Sequence, residues 1–154
     1  MEDRVVTHRY RDPLSELWLS CAKKIGFRVE RCVDAFAHYD GKGLLQLAED
    51  QYLDRDDCIA QMVFHELCHS LVAGPDAFEQ EDWALDNTGE DDHWQEHATL
   101  QCQALLSGRY GLRQVLAPTT DFRAYYDALP AHPLSLGRDK VSSRARQAVR
   151  LAHT

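Results

Sequence analysis

The chain has 154 residues, 44% of them hydrophobic and 27% charged, a composition typical of folded globular proteins and not of disordered ones. Its formal net charge of -8 disfavours binding to nucleic acid or to anionic lipid. No apolar run reaches the roughly 20 residues of a membrane span, and the charged start Met1–Arg4 does not resemble a signal peptide. We therefore expect one cytoplasmic domain over residues 1–154, with neither nucleic acid nor membrane as a partner.

Two further features of the composition bear on binding. Seven acidic residues fall between positions 79 and 92, which favours a solvated loop; the alternatives are a rim for basic peptides or a site for an extra cation. Without an export signal, we expect buried, reduced thiols, although the cysteines could converge on a cluster or a second metal. The five cysteines contain no CxxC pair and are Cys21, Cys32, Cys58, Cys68 and Cys102.

The first third of the chain predicts a helix followed by a small sheet. Asp12 is a suitable N-cap and Gly26 a suitable stop, so we expect a helix over about 12–25. Alternating residues then predict a strand, and the sequence Asp-Gly-Lys-Gly at 40–43 favours a hairpin turn. About three short strands, mostly antiparallel, are expected within residues 27–33, 33–39 and 43–48.

The rest of the chain predicts helices. Capping residues, apolar spacing and terminating glycines or prolines mark each of them. Early strands followed by helices indicate an α+β domain. The expected helices cover about 55–73, 92–107, 121–129 and 139–152, with a polar loop over 76–91.

Residues 65–69 form the motif His-Glu-Leu-Cys-His, an HExxH sequence. On a helix, residues i and i+4 lie above one another, so His65 and His69 can bind the same metal ion. Glu66 is offset by about 100° and can accept a proton from a water on that metal. Zinc lowers the pKa of such a water toward ~7. This pattern predicts a Zn²⁺ site with Glu66 as the general base.

A catalytic zinc site needs a third protein ligand. The metzincin extension would place glycine at position 72 and histidine at position 75, but the chain has Val72 and Pro75. The ligand should therefore come from the next helix, which offers His93, Glu96 and His97. We expect His97, because its helical phase directs it toward the interior, and keep Glu96 and His93 as alternatives.

These motifs resemble those of a minimal zincin metallopeptidase, closest to the gluzincin-like ImmA/IrrE group. In that group a helix with Glu-Ala-Asn and a later leucine pair follows HExxH; here His97-Ala98-Thr99 and Leu105-Leu106 stand in those places. The resemblance implies a zincin-like fold, zinc ligands His65 and His69, and Glu66 as base. The resemblance also implies that His97 occupies the position of the zinc-binding glutamate of that group. The same pentapeptide also resembles that of SprT-like proteases, but their basic DNA-binding surface and cysteine zinc ribbon are missing here.

We therefore expect a zinc metallohydrolase, specifically a small metallopeptidase that acts on a peptide or protein substrate. The strand over Leu44–Leu47 should border the cleft and, if it is an open edge, pair with an extended peptide. The alternative function is a non-catalytic metal-binding or cysteine-centred redox or iron–sulfur regulatory protein on a zincin fold. Residues able to stabilise an oxyanion are Arg123, Tyr125, Tyr126 and His132, among which the sequence makes no choice.

Overall fold

The computed structural model describes residues 10–85, 93–118, 120–132 and 137–154 and has an α+β architecture, which confirms the expected class. The α-helices are α1 (Pro13–Lys24), α2 (Ile59–Ala73), α3 (His93–Gly108), α4 (Arg123–Ala128) and α5 (Lys140–Leu151). The strands are β1 (Arg28–Cys32), β2 (Ala37–Tyr39) and β3 (Leu44–Ala48). None of the described helices combines the length and the apolar character needed to cross a bilayer.

The three strands form one mixed sheet in the order β1-β3-β2. The hairpin between β2 and β3 is antiparallel, as expected, but β1 and β3 run parallel, so the prediction of a mostly antiparallel sheet is wrong. β3 is the most apolar strand, and its Leu45 and Leu47 are fully buried, which suits a strand paired on both sides. The expectation that the Leu44–Leu47 strand could be an open edge is therefore wrong as well; the edges are β1 and β2.

The helix boundaries follow the local capping signals. The Asp12 carboxylate accepts a hydrogen bond from the Ser15 amide at 2.8 Å, which caps α1 as expected. α2 begins at Ile59, four residues after its expected start, because the Asp54 amide donates to the Asp57 carboxylate at 3.0 Å in a turn of its own. The expected N-cap of α3, Asp92, lies outside the described residues, and so do three more of the seven acidic residues between positions 79 and 92.

α2 is the central helix of the fold. On one side its Val63 and Leu67 pack against the sheet in a core that includes Leu45 and Leu47. On the other side its Phe64 joins a second apolar cluster with residues of α3 and α5. The HExxH residues are therefore held on a helix that is covered on both faces and has little freedom to move.

The described part of the expected polar loop, residues 76–85, contains regular turns. Two short 3-10 turns cover Pro75–Ala77 and Glu81–Ala84. The second carries a run of residues with left-handed backbone, in which φ is +46° at Asp82, +60° at Trp83 and +59° at Ala84. Non-glycine residues seldom adopt this conformation, and a run of them usually marks a functional or strongly constrained segment.

Candidate metal centre

His65 and His69 project from α2 toward α3, one helical turn apart. Their Nε2 atoms are 3.0 Å apart, and the rings meet edge to face with centroids separated by 4.5 Å. His69 is buried and His65 is mostly buried. The i, i+4 spacing therefore brings the two Nε2 atoms close enough to bind the same metal ion.

Glu96 of α3 completes the group. Its Oε1 lies 3.3 Å from His65 Nε2, and its Oε2 lies 3.1 Å from His69 Nε2. The ligand atoms of the three residues all lie within 4.8 Å of one another, so together they could hold a metal ion. Because the ligands come from two helices, a bound ion would join α2 to α3.

The structure does not bring His97 to this group, which corrects the expected three-histidine ligand set. The His97 ring instead stacks on Tyr125, with centroids 3.9 Å apart and the planes 10° from parallel. His93, the other alternative, is exposed at the start of α3. The side of α3 that faces α2 was predicted wrongly because the helix is buried around most of its circumference. Its apolar side chains therefore do not define one inward face.

A polar stripe on α3 identifies the side that faces α2. Thr99 and Gln103 follow Glu96 at intervals of three and four residues, and both are fully buried. Gln103 Oε1 lies 2.8 Å from His65 Nδ1, and Thr99 Oγ1 lies 3.2 Å from His69 Nδ1. The Nδ1 atoms are thus hydrogen-bonded, which leaves both Nε2 atoms for a metal.

The direction of the hydrogen bond to His65 follows from its surroundings. The Gln103 amide nitrogen donates to the Leu116 carbonyl at 2.6 Å, so its Oε1 is the atom directed at the imidazole. An amide oxygen can only accept, and therefore His65 Nδ1 must carry the proton. In neutral His65, the lone pair is then on Nε2, the atom that faces Glu96.

The electrostatics of the metal-free group are those of an ion pair. Burial lowers the pKa of His65, but the Glu96 carboxylate more than compensates and raises that pKa to about 9. Burial acts to raise the pKa of Glu96, yet His69 and His65 hold it well below its ordinary value. At neutral pH the buried carboxylate is therefore ionised, and His65 keeps a proton that a metal ion would displace.

Glu66 shares a cavity with the metal-ligand group. This cavity has a volume of about 210 Å³ and is also bordered by His69 and Glu96. Trp83, a buried residue of the left-handed segment, donates from its indole Nε1 to Glu66 Oε2 at 3.2 Å. The remaining lining residues are Phe36, Ala37, Asp82 and Leu85.

None of the candidate oxyanion residues lines this cavity in the part of the chain that the structure describes. Tyr125 accepts a hydrogen bond from Gln101 and stacks on His97, while Tyr126 is fully buried and donates to the Arg113 carbonyl. Arg123 forms an ion pair with Asp127 at 2.9 Å. His132 is exposed.

A second group of possible ligands surrounds His38. Its Nδ1 lies 3.2 Å from Asp82 Oδ1, and its Nε2 lies 3.6 Å from Glu81 Oε1. The carboxylates contact opposite nitrogens of the ring, whereas one metal ion would use only one of them. This arrangement therefore fits a hydrogen-bonded network better than a metal site.

The cysteines do not contribute to either group of possible ligands in the described residues. All five are free thiols. Cys68, within the HExxH motif, is fully buried in the apolar cluster between α2 and α3, and burial raises the pKa of its thiol, as does the neighbouring Cys102. A buried protonated thiol is a packing residue with low reactivity.

Thr99, Gln103 and Trp83 were not identified from the sequence, and Glu96 was only an alternative to His97. The spacing of Thr99 and Gln103 after Glu96 on α3 is a signal that could have found the first two, since polar residues at this interval rarely line a buried face without a role. Trp83 had no such signal. No protein-family model matches this chain, and no curated protein or solved structure is significantly similar to it.

Proposed function

We propose that the chain is a zinc metallohydrolase, and specifically a metallopeptidase, in which His65, His69 and Glu96 hold the ion and Glu66 is the general base. The observation that carries this proposal is the convergence of two imidazole nitrogens and a carboxylate, 3.0–3.3 Å apart, beside a cavity that Glu66 borders. Two histidines and one carboxylate leave a fourth position open in a catalytic zinc site.

The donor set supports zinc rather than a hard cation. Imidazole nitrogens suit zinc, copper, iron and nickel, whereas calcium and magnesium prefer oxygen ligands throughout. The hydrogen bond that His65 Nδ1 donates to Gln103 Oε1, and the one between His69 Nδ1 and the Thr99 hydroxyl, are the outer contacts that metal-binding histidines usually have. When bound, Zn²⁺ supplies Lewis acidity that polarises a carbonyl group and makes an adjacent water more acidic.

The protein's own part in the reaction is proton transfer. Glu66 takes the proton of the attacking water on one carboxylate oxygen and returns it to the leaving nitrogen. Its Oε2 accepts the hydrogen bond of Trp83, so Oε1 is the oxygen left to do this. His65, His69 and Glu96 hold the ion and are not consumed.

The test combines metal analysis with hydrolysis of a peptide library. The wild-type protein should bind one zinc per chain and cleave at least one peptide, with activity lost to a chelator and restored by zinc. Glu66→Gln should keep its zinc and lose hydrolysis. Full turnover by zinc-loaded Glu66→Gln would contradict the proposed mechanism.

The ligand set is tested separately. Zinc content should fall in His65→Ala, His69→Ala and Glu96→Ala, because each removes a ligand. His97→Ala is the matched control: it removes a histidine from the same helix as Glu96 but leaves the group intact, and should retain zinc. The reverse pattern at Glu96 and His97 would restore the three-histidine site.

A further inference from the structure

The indole of Trp83 donates a hydrogen bond to Glu66. The ring is 4% exposed, and its Nε1 lies 3.2 Å from Glu66 Oε2. Hydrogen bonds from a buried donor to a carboxylate are among the stronger ones in proteins. The contact therefore restricts the rotation of the Glu66 side chain at the cavity wall.

The indole is itself held in place from two sides. Its ring stacks on Tyr39 of β2, with centroids 3.7 Å apart and planes 7° from parallel. The preceding residue, Asp82, accepts a hydrogen bond from the Tyr39 amide at 2.8 Å. Tyr39 in turn is fully buried and donates through its hydroxyl to the Phe78 carbonyl at 2.7 Å. The sheet edge thus fixes the position and the plane of the donor.

The backbone that carries the indole is strained. Asp82, Trp83 and Ala84 all have positive φ, a conformation that costs free energy in every residue other than glycine. Such outliers persist only where surrounding contacts determine them, and they are concentrated at functional sites. Here the run of three places one side chain against the sheet and the next against Glu66.

We propose that Trp83 is a positioning residue for Glu66: its N–H holds one carboxylate oxygen so that the other is left to exchange a proton with the substrate water. The inference rests on the proposed function, in which Glu66 is the base. It assigns the left-handed segment a role in the reaction, although this segment contributes none of the metal ligands.

The hydrogen bond is tested first, by NMR of the full chain with its tryptophans labelled with ¹⁵N. The chain has three tryptophans, so three indole signals are expected, and Trp83→Phe and Trp18→Phe assign two of them. In Glu66→Ala the Trp83 indole proton should shift upfield and exchange faster with water. Glu16→Ala, which removes an exposed carboxylate on α1, should leave it unchanged. A Trp83 signal that does not respond to Glu66→Ala would overturn the proposal.

Kinetics of the zinc-loaded protein then test the consequence. Trp83→Phe keeps an aromatic ring for Tyr39 but removes the donor, and should lower kcat about 10- to 100-fold with KM within about twofold. Trp18→Phe is the matched control, because Trp18 Nε1 is buried without a hydrogen-bond partner in the described structure. A Trp83→Phe enzyme with full zinc and wild-type kcat would overturn the proposal.

The two proposals fail in different ways. If the wild-type protein cleaves no peptide, the proposed function fails, whereas the NMR comparison still decides whether Trp83 holds Glu66. If the protein is an active hydrolase and the indole signal is indifferent to Glu66, only the positioning role is lost. Thermal unfolding of each variant shows whether a loss of activity reflects a loss of the fold.

Discussion

The affinity of the protein for zinc should depend steeply on pH between 7 and 9. The metal-free group retains a proton on His65, whose pKa is raised to about 9 because the Glu96 carboxylate more than offsets the effect of burial. Zinc binds only the neutral imidazole, so this proton must leave as the ion enters. A raised pKa therefore weakens zinc binding below pH 9, and the penalty disappears as pH rises through that value.

The size of the effect follows from the fraction of neutral His65. At pH 7, about two units below the pKa, roughly 1% of His65 is neutral, which makes the apparent affinity about 100-fold weaker than its value at high pH. The apparent Kd should thus fall about tenfold per pH unit and then level off near pH 9. Zinc uptake at pH 7.5 should release about one proton from His65.

The assay is a competition between the protein and a chromophoric chelator of known pH dependence, with proton release measured by calorimetry in buffers of different ionisation enthalpy. Glu96→Gln tests the cause. Glu96→Gln removes the largest of the effects that raise the pKa of His65, while burial still lowers it and Glu66 and Gln103 raise it to a smaller extent. The variant should bind zinc more weakly at pH 9, and its affinity should change less steeply between pH 7 and 9 than that of the wild type. A flat wild-type profile, or a Glu96→Gln profile as steep as that of the wild type, would refute the reasoning.

Two further predictions concern the surroundings of the site. Gln103→Leu removes the acceptor for the His65 Nδ1 proton and should weaken zinc binding about 10- to 100-fold, measured by the same competition, whereas Gln147→Leu, at an exposed position on α5, should not change it. Leu45→Ala empties a fully buried position of the central strand and should lower the free energy of unfolding in urea by about 2–5 kcal/mol, whereas Leu151→Ala, at a position 41% exposed, should cost much less. Equal effects in either matched pair would contradict the burial and contacts described here.

The parts of the site that the sequence predicted are local. The distance between His65 and His69 is fixed by the helix repeat, so the motif determines their geometry wherever the helix packs. Asp12 at the start of α1 and the glycines of the β2–β3 turn are similar cases, because a cap or a tight turn depends on a few adjacent residues.

The choice of Glu96 over His97 as the third member of the group could not be made in this way. It depends on the rotation of α3 against α2, and a difference of one residue changes the direction of a side chain by about 100°. Because α3 is covered on most sides, its apolar residues do not indicate which side faces α2. The polar residues Thr99 and Gln103 indicate that side instead, since buried polar groups must face a partner.

The order of the strands and the role of Trp83 depend on contacts that are distant in the sequence. β3 lies between β1 and β2 because two buried leucines favour a central position, and no property of β1 alone indicates that it pairs in parallel. The left-handed segment contains no glycine from which its conformation could have been predicted. Its conformation is determined by Tyr39, which lies 43 residues from Asp82 in the chain.

The edge of the sheet nearest the metal-ligand group is short and partly closed. Phe36 and Asp40 make their backbone hydrogen bonds to β3, so by alternation the amides of Ala37 and Tyr39 point outward. Asp82 already accepts the hydrogen bond of the Tyr39 amide, which leaves Ala37 as the one outward donor of β2. By the same alternation, the carbonyl groups of Ala37 and Tyr39 also point outward, so the edge offers one free amide donor and two acceptors to a second copy of the chain. An extended ligand laid along β2 can therefore form only a few backbone hydrogen bonds with it, and side-chain contacts must add to its affinity.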